Sequence, residues 1–151
     1  MSLTTLGIAS DHGGRQLKQF LIDNITNNEQ TLVDLGVPVD DASSVDYPDY
    51  ASALCQKVAS GELEQGILVC GTGIGMSIAA NKWPGIRAAL VWDNFTAQMS
   101  KEHNNAQILC LGERVLNFHR AAEYVKIWLE AKFAGDRHQR RLDKIARLPH
   151  L

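Results

Sequence analysis

The residues of this chain best suited to chemistry form one short run, Cys70-Gly71-Thr72-Gly73-Ile74-Gly75-Met76-Ser77. A thiol precedes three alternating glycines where an apolar segment ends and an amphipathic one begins. Such glycines let the backbone approach a ligand closely and turn its N–H groups inward at the positive end of a helix. The cradle suits a phosphate, a carboxylate or a developing enediolate. A helix N-terminus also favours the thiolate of a cysteine just before it, so Cys70 is a candidate nucleophile or general base. A tight turn with a buried structural cysteine would use the same residue types.

A dinucleotide site is the nearest rival, helped by Asp93 at about the spacing of a ribose-binding acid. Against it, the spacing is G-x-G-x-G with Met76 where the third small residue should fall. The loop also follows the third strand rather than the first. A Walker loop is excluded, because no Gly-Lys-Ser/Thr follows. Asp11 and His12 come directly after the first apolar run, in Asp11-His12-Gly13-Gly14, and Gly112-Glu113-Arg114 after the last. His103-Asn104 closes a helical pattern, where a lone histidine is more often a cap or a satisfied surface group than a catalyst. Arg137 and Arg141 share one helix face and suit either a phosphate or plain solvation. Cys110 and Cys55 read as inert, one in a strand and the other inside a helix.

The elements that must carry these residues alternate. Strands are expected over Thr5–Ser10, Thr31–Leu35, Gly66–Cys70, Ile86–Trp92 and Ala106–Leu111, with helices over 14–27, 48–60, 75–83, 94–103, 117–133 and 137–147. Runs such as Ile67-Leu68-Val69 lack alternation, as strands buried on both faces should. The pattern predicts a Rossmann-like three-layer α/β/α sandwich with a five-stranded parallel sheet, whose ligands bind beyond the carboxyl ends of the strands. Gly36 should end the second strand, Pro84-Gly85 stop the third helix, and Gly135 separate the last two helices. The 151 residues, 45% hydrophobic, fit one domain without repeats or linkers.

A net charge of −2 argues against a nucleic-acid binder, and no apolar run is long enough to span a membrane. The charge is uneven: Asp34, Asp40, Asp41, Asp46 and Asp49 make an acidic stretch, while Arg137, Arg140, Arg141, Lys144 and Arg147 crowd the C-terminal end. That basic stretch suits a small anionic ligand. Three cysteines without a C-x-x-C pair point to reduced thiols, a cytoplasmic location and no structural zinc. No signal peptide is evident before the first strand, and neither a metal nor another cofactor is expected.

Taken together, these motifs resemble the type B ribose-5-phosphate isomerase family, which includes the galactose-6-phosphate isomerases. The likeness runs through Ile8-Ala9-Ser10-Asp11-His12-Gly13-Gly14, Asp46-Tyr47-Pro48-Asp49-Tyr50-Ala51 and Cys70 to Lys82. Gly85-Ile86-Arg87-Ala88-Ala89, His103-Asn104, Leu111-Gly112-Glu113-Arg114-Val115 and Arg137-His138-Gln139-Arg140-Arg141 complete it. The resemblance implies an aldose–ketose isomerase interconverting ribose 5-phosphate and ribulose 5-phosphate, or acting on a six-carbon sugar 6-phosphate. It implies Cys70 as the base, Thr72 with the amides of Gly71, Gly73, Ile74 and Gly75 as the anion hole, and His103 as the ring-opening group. Asp11 and Asn104 would contact sugar hydroxyls, and His12, Arg114, Arg137 and Arg141 the phosphate. It also implies a homodimer, or a dimer of dimers, with each site shared between subunits. Met76 stands where some members carry a glutamate base, Asn105 where aspartate is frequent, and Asp136 where glycine is frequent.

Overall fold

The structure, a computed structural model, describes residues 4–25 and 29–149. Met1-Ser2-Leu3 and the end of the helix expected over 14–27 lie outside these residues. Five strands, β1 (Thr4–Ser10), β2 (Gln30–Asp34), β3 (Gln65–Cys70), β4 (Ala88–Leu90) and β5 (Ile108–Gly112), form one sheet in the order β2-β1-β3-β5-β4. Every pairing is parallel. The helices are α1 (Arg15–Ile25), α2 (Tyr47–Ala59), α3 (Ile74–Ala80), α4 (Asn94–Glu102), α5 (Phe118–Glu130) and α6 (Arg137–Ala146). This is the expected layered α/β architecture.

Its layers follow from side-chain period. In α5, Ala121, Tyr124, Val125 and Trp128 recur at the spacing of one helical face and are buried. They meet Leu17 and Leu21 of α1, Ala97 of α4, and Leu6, Ile8, Ile67, Val69, Leu109 and Leu111 from one face of the sheet. Ala51, Leu54 and Cys55 of α2, with Met76 and Ala80 of α3, cover the other face through Ala9, Leu68, Cys70, Ile108 and Cys110. Every residue of β5 is buried, because it lies between β3 and β4 with helices on both sides. Each large apolar side chain buried this way contributes about 1.5–3 kcal/mol.

Several boundaries move. β4 is three residues long, because Ile86 closes a turn on Trp83 and the Arg87 amide donates to the Gln107 side-chain oxygen instead of to a strand. α3 stops at Ala80, where the Asn81 side chain bonds both the N–H and the C=O of Ala88. α5 ends at Glu130, followed by an extended Ala131. Gly135 and Asp136 both take positive φ just before α6. For the site, the decisive feature is the winding: from β1 the chain goes outward to β2, then returns past β1 to β3. The crevice at that reversal lies between the carboxyl ends of β1 and β3, where Asp11 and Cys70 emerge.

Candidate functional site

Backbone hydrogen bonds tie three strand ends into one surface. The Asp11 amide donates to Val69 O at 3.2 Å, Glu113 to Cys70 O at 2.9 Å and Arg114 to Gly71 O at 3.0 Å. Gly14 is obligatory here, since a Cβ on it would lie 2.6 Å from Val69 O. Asp11 is buried and accepts from the Gly13 amide at 2.8 Å, capping a single 3-10 turn at His12–Gly14. His12 Nδ1 lies 3.1 Å from both the nitrogen and the oxygen of Val45, so the loop before α2 fixes its ring. Glu113 accepts from the Leu17 amide at 2.6 Å, anchoring the β5 loop on α1. Arg114 is exposed, and its side chain lies beside Gly71, 3.4 Å from where a Cβ would stand.

Within the glycine run, Gly73 has φ +79°, and a Cβ there would meet Leu90 at 2.6 Å and the Leu111 backbone at 3.0 Å. That left-handed residue turns the chain so that its own amide donates to Cys70 Sγ at 3.1 Å. Thr72 Oγ1 accepts from the Ile74 amide at 3.2 Å. Among the described residues the amides of Gly71, Thr72, Gly75 and Met76 have no hydrogen-bond partner. Four donors are therefore left beside a thiol that is itself only 5% exposed. The Tyr47 ring closes the run on one side, 2.6 Å from the position of a Cβ on Gly75.

The other cysteines differ in kind. Burial pushes the Cys55 thiol up to about 12. Cys110 is also raised, chiefly by burial and then by Cys55 and Cys70 nearby. Both are held as thiols, without a polar partner among the described residues; Cys70 alone receives an amide hydrogen bond. Cys70 pairs with Gly112 and Cys110 with Leu68, so the two are offset by two residues on adjacent strands. That separation, roughly 8 Å, is beyond disulfide reach.

His103 and Asn104 are elsewhere. A crossover helix runs antiparallel to the strands it joins, so the end of α4 lies at the amino edge of the sheet, opposite Cys70. The four steps from Ile108 to Gly112 alone span roughly 13 Å. Arg137 and Arg141, both exposed, belong to this second cluster through α6. His138 of that helix stacks on His103, with centroids 4.1 Å apart and planes 15° from parallel. Among the described residues, no hydrogen bond, ion pair or ring contact joins this cluster to the Cys70 loop, and no carboxylate pairs with Arg114, Arg137 or Arg141. The resemblance implies one site shared between subunits; a single chain holds these residues as two patches.

Three contributors carried no role in the sequence reading. His138 is buried, its pKa lowered by burial first and then by His103, Arg137 and Arg141. Its signal was the i, i+4 spacing to buried Leu142. Val45, the partner of His12, had no local signal, being 33 residues away. Trp128 is fully buried and donates to Ala106 O at 3.0 Å, behind the segment that carries His103. No group of three or more potential metal ligands occurs among the described residues, nor any helix long and apolar enough to cross a membrane.

A parallel α/β sandwich with a glycine-cradled thiol at its switch point defines a class of small isomerase rather than a dinucleotide enzyme, and comparison with known proteins agrees. The Ribose/Galactose Isomerase family model matches residues 6–145, and the chain belongs to that family of enzymes. It is similar to the ribose-5-phosphate isomerase B of Clostridium thermocellum, with TM-score 0.91 and 47% identity, over 95% of each chain. The Mycoplasma genitalium ribose-5-phosphate isomerase B solved with bound ribulose-5-phosphate superposes with TM-score 0.88 and 42% identity, again over 95% of each. A D-erythrulose-4-phosphate isomerase of Pectobacterium atrosepticum is 36% identical, over 98% of this chain and 97% of that one.

Proposed function

We propose that this isomerase interconverts ribose 5-phosphate and ribulose 5-phosphate through an enediolate, with Cys70 as the base. The observation that carries the reading is the Gly73 amide bonded to Cys70 Sγ, beside four unpartnered amides at the sheet's switch point. In the open-chain aldose the Cys70 thiolate removes the C2 proton, and the electron pair moves through C1 to leave an oxyanion on O1. Preorganised donors are worth most against charge that develops during reaction; the free amides of Gly71, Thr72, Gly75 and Met76 fill that role, while the Gly73 and Ile74 amides, expected to join them, hold Cys70 Sγ and Thr72 Oγ1. The thiol then returns its proton to C1, and the hydroxyl proton passes from O2 to O1, giving the ketose.

The remaining roles follow the two patches. His12, whose ring Val45 fixes through Nδ1, keeps Nε2 for the phosphate and is joined there by Arg114. Asp11 contacts a sugar hydroxyl. His103 opens the furanose, Asn104 holds a hydroxyl, and Arg137 and Arg141 bind phosphate. Because one chain keeps these two groups at opposite sheet edges, the working enzyme is a homodimer, alone or as a dimer of dimers, in which each site takes one patch from each subunit. Three reduced cysteines fit action in the cytoplasm. No step calls for a metal or another cofactor.

Substrate length is the open variable, and the four-carbon relative gives a second reading. Initial rates on ribose 5-phosphate, erythrulose 4-phosphate, allose 6-phosphate and galactose 6-phosphate decide it. The expected order places ribose 5-phosphate first in kcat/KM. A higher value for any of the others replaces the substrate and leaves the chemistry intact.

A further inference from the structure

The segment Glu102–Ala106, which carries His103 and Asn104, is gripped along its whole backbone. Glu102 O accepts from the Ala134 amide at 2.9 Å, and the His103 amide donates to Met99 O at 2.9 Å. Arg87 donates from Nε to Asn104 O at 2.8 Å and from Nη2 to Asn105 O at 3.1 Å. The Asn105 amide reaches Lys101 O at 3.0 Å and the Ala106 amide Ser100 O at 2.9 Å. Asn105 is itself held at φ +43°. Behind the segment, buried Trp128 donates to Ala106 O and receives the Lys101 ammonium on its ring, 4.6 Å from the centroid.

Lys101 is the anomaly in this arrangement. It is only 7% exposed, and among the described residues its ammonium has no hydrogen bond or ion pair. Burial lowers its pKa to about 8, so the charge is carried at a cost. Methionine would fill the same space without that penalty, which makes the charge a poor choice for stability alone. What the charge adds is direction: a cation over an indole face has a preferred position that an apolar chain lacks. It sits in the last turn of α4, two residues before His103, over a ring whose N–H holds the far end of the same loop.

We infer that Lys101, seated on Trp128, is a positioning residue that sets His103 and Asn104 at the angle needed to open the sugar ring. The inference rests on the isomerase reading above and deepens it. Substrate chemistry separates the two. Ribose 5-phosphate is chiefly a furanose and must be opened. Ribulose 5-phosphate is acyclic, because phosphorylation removes the hydroxyl that would close a five-membered ring, and erythrulose 4-phosphate is acyclic because a four-carbon ketose has no hydroxyl placed to close one. Ribulose 5-phosphate enters already open and its open-chain aldose product can leave and close in solution, so a misplaced His103 slows the cyclic substrate selectively, whereas a failing base or anion hole slows all three.

The test compares Lys101→Met, Lys101→Arg and wild type on ribose 5-phosphate and, in the ketose-to-aldose direction, on ribulose 5-phosphate. Wild-type turnover of both substrates comes first, and its absence would refute the ribose 5-phosphate reading on which the inference rests. Lys101→Met should lose about 3- to 10-fold in kcat on ribose 5-phosphate while staying within about 2-fold on ribulose 5-phosphate, and Lys101→Arg should recover most of the loss. Trp128→Phe, which keeps an aromatic face and drops the bond to Ala106, should show the same selective loss and reads the clamp independently if Lys101→Met does not fold. Unchanged activity on ribose 5-phosphate, or an equal loss on both substrates in the folded variants, overturns the inference.

Discussion

The two edges of the sheet bear the two halves of the proposed chemistry, and they are built differently. At the carboxyl edge the working groups are backbone amides and one thiol, fixed by glycines and by strand-end hydrogen bonds between β1, β3 and β5. At the amino edge they are side chains of α4 and α6, held by a stacked histidine pair, an arginine gripping two carbonyls and a lysine on an indole. The carboxyl edge gains rigidity from obligatory local geometry. The amino edge gains it from tertiary contacts that any of several substitutions can loosen. Stabilising a developing oxyanion demands tight donor placement, whereas opening a ring and gripping a remote phosphate tolerate more, so the division suits the work.

The largest expected effect lies at the carboxyl edge. Cys70→Ser keeps the shape but presents a hydroxyl barely ionised near neutral pH, so kcat should fall by about 10²–10⁴-fold with little change in KM. Cys55→Ser serves as the control, since that thiol is buried on α2 and makes no hydrogen bond to the glycine run. Near-wild-type kcat in folded Cys70→Ser would transfer the base to another group and dissolve the contrast between the edges.

Mixing subunits sharpens the contrast. Cys70→Ser damages one patch and Arg137→Ala/Arg141→Ala the other, so hybrid dimers retain one undamaged site. Random exchange should restore roughly a quarter of wild-type activity from two inactive parents. Sedimentation at assay concentration provides the second reading: a fully active monomer would mean that one chain brings both patches together.

The smallest effect concerns the stacked histidines. The pKa of His138 is lowered in the folded chain, by burial first. The unfolded chain therefore binds more protons between that lowered value and the ordinary 6.5, and stability rises with pH through this window and is lost on acidification. Between about pH 7 and pH 5.5 the wild type should lose more in Tm than His138→Phe, which keeps a ring for stacking but does not titrate. Equal losses would remove His138 as the source of the acid sensitivity.

Much of this was legible before any coordinates. The alternation of apolar runs with amphipathic stretches set the layered sheet, because strands covered on both faces need uninterrupted apolar sequence. The glycine spacing marked the cradle, because only glycine tolerates φ +79° at Gly73 and the close approach at Gly14. Cys55 and Cys110 are expected to be inert from their place in apolar surroundings, and burial raises the pKa of both thiols. Strand order was not written there. That β5 enters between β3 and β4 depends on which pairing buries more surface, and no local pattern records it. The separation of His103 from Cys70 follows from that winding, as does the partnership of His12 with Val45. Nothing in the sequence singled out Trp128 or Lys101; only the packing of α4 on α5 joined them, because a contact between distant residues is a property of the folded chain and of no shorter segment.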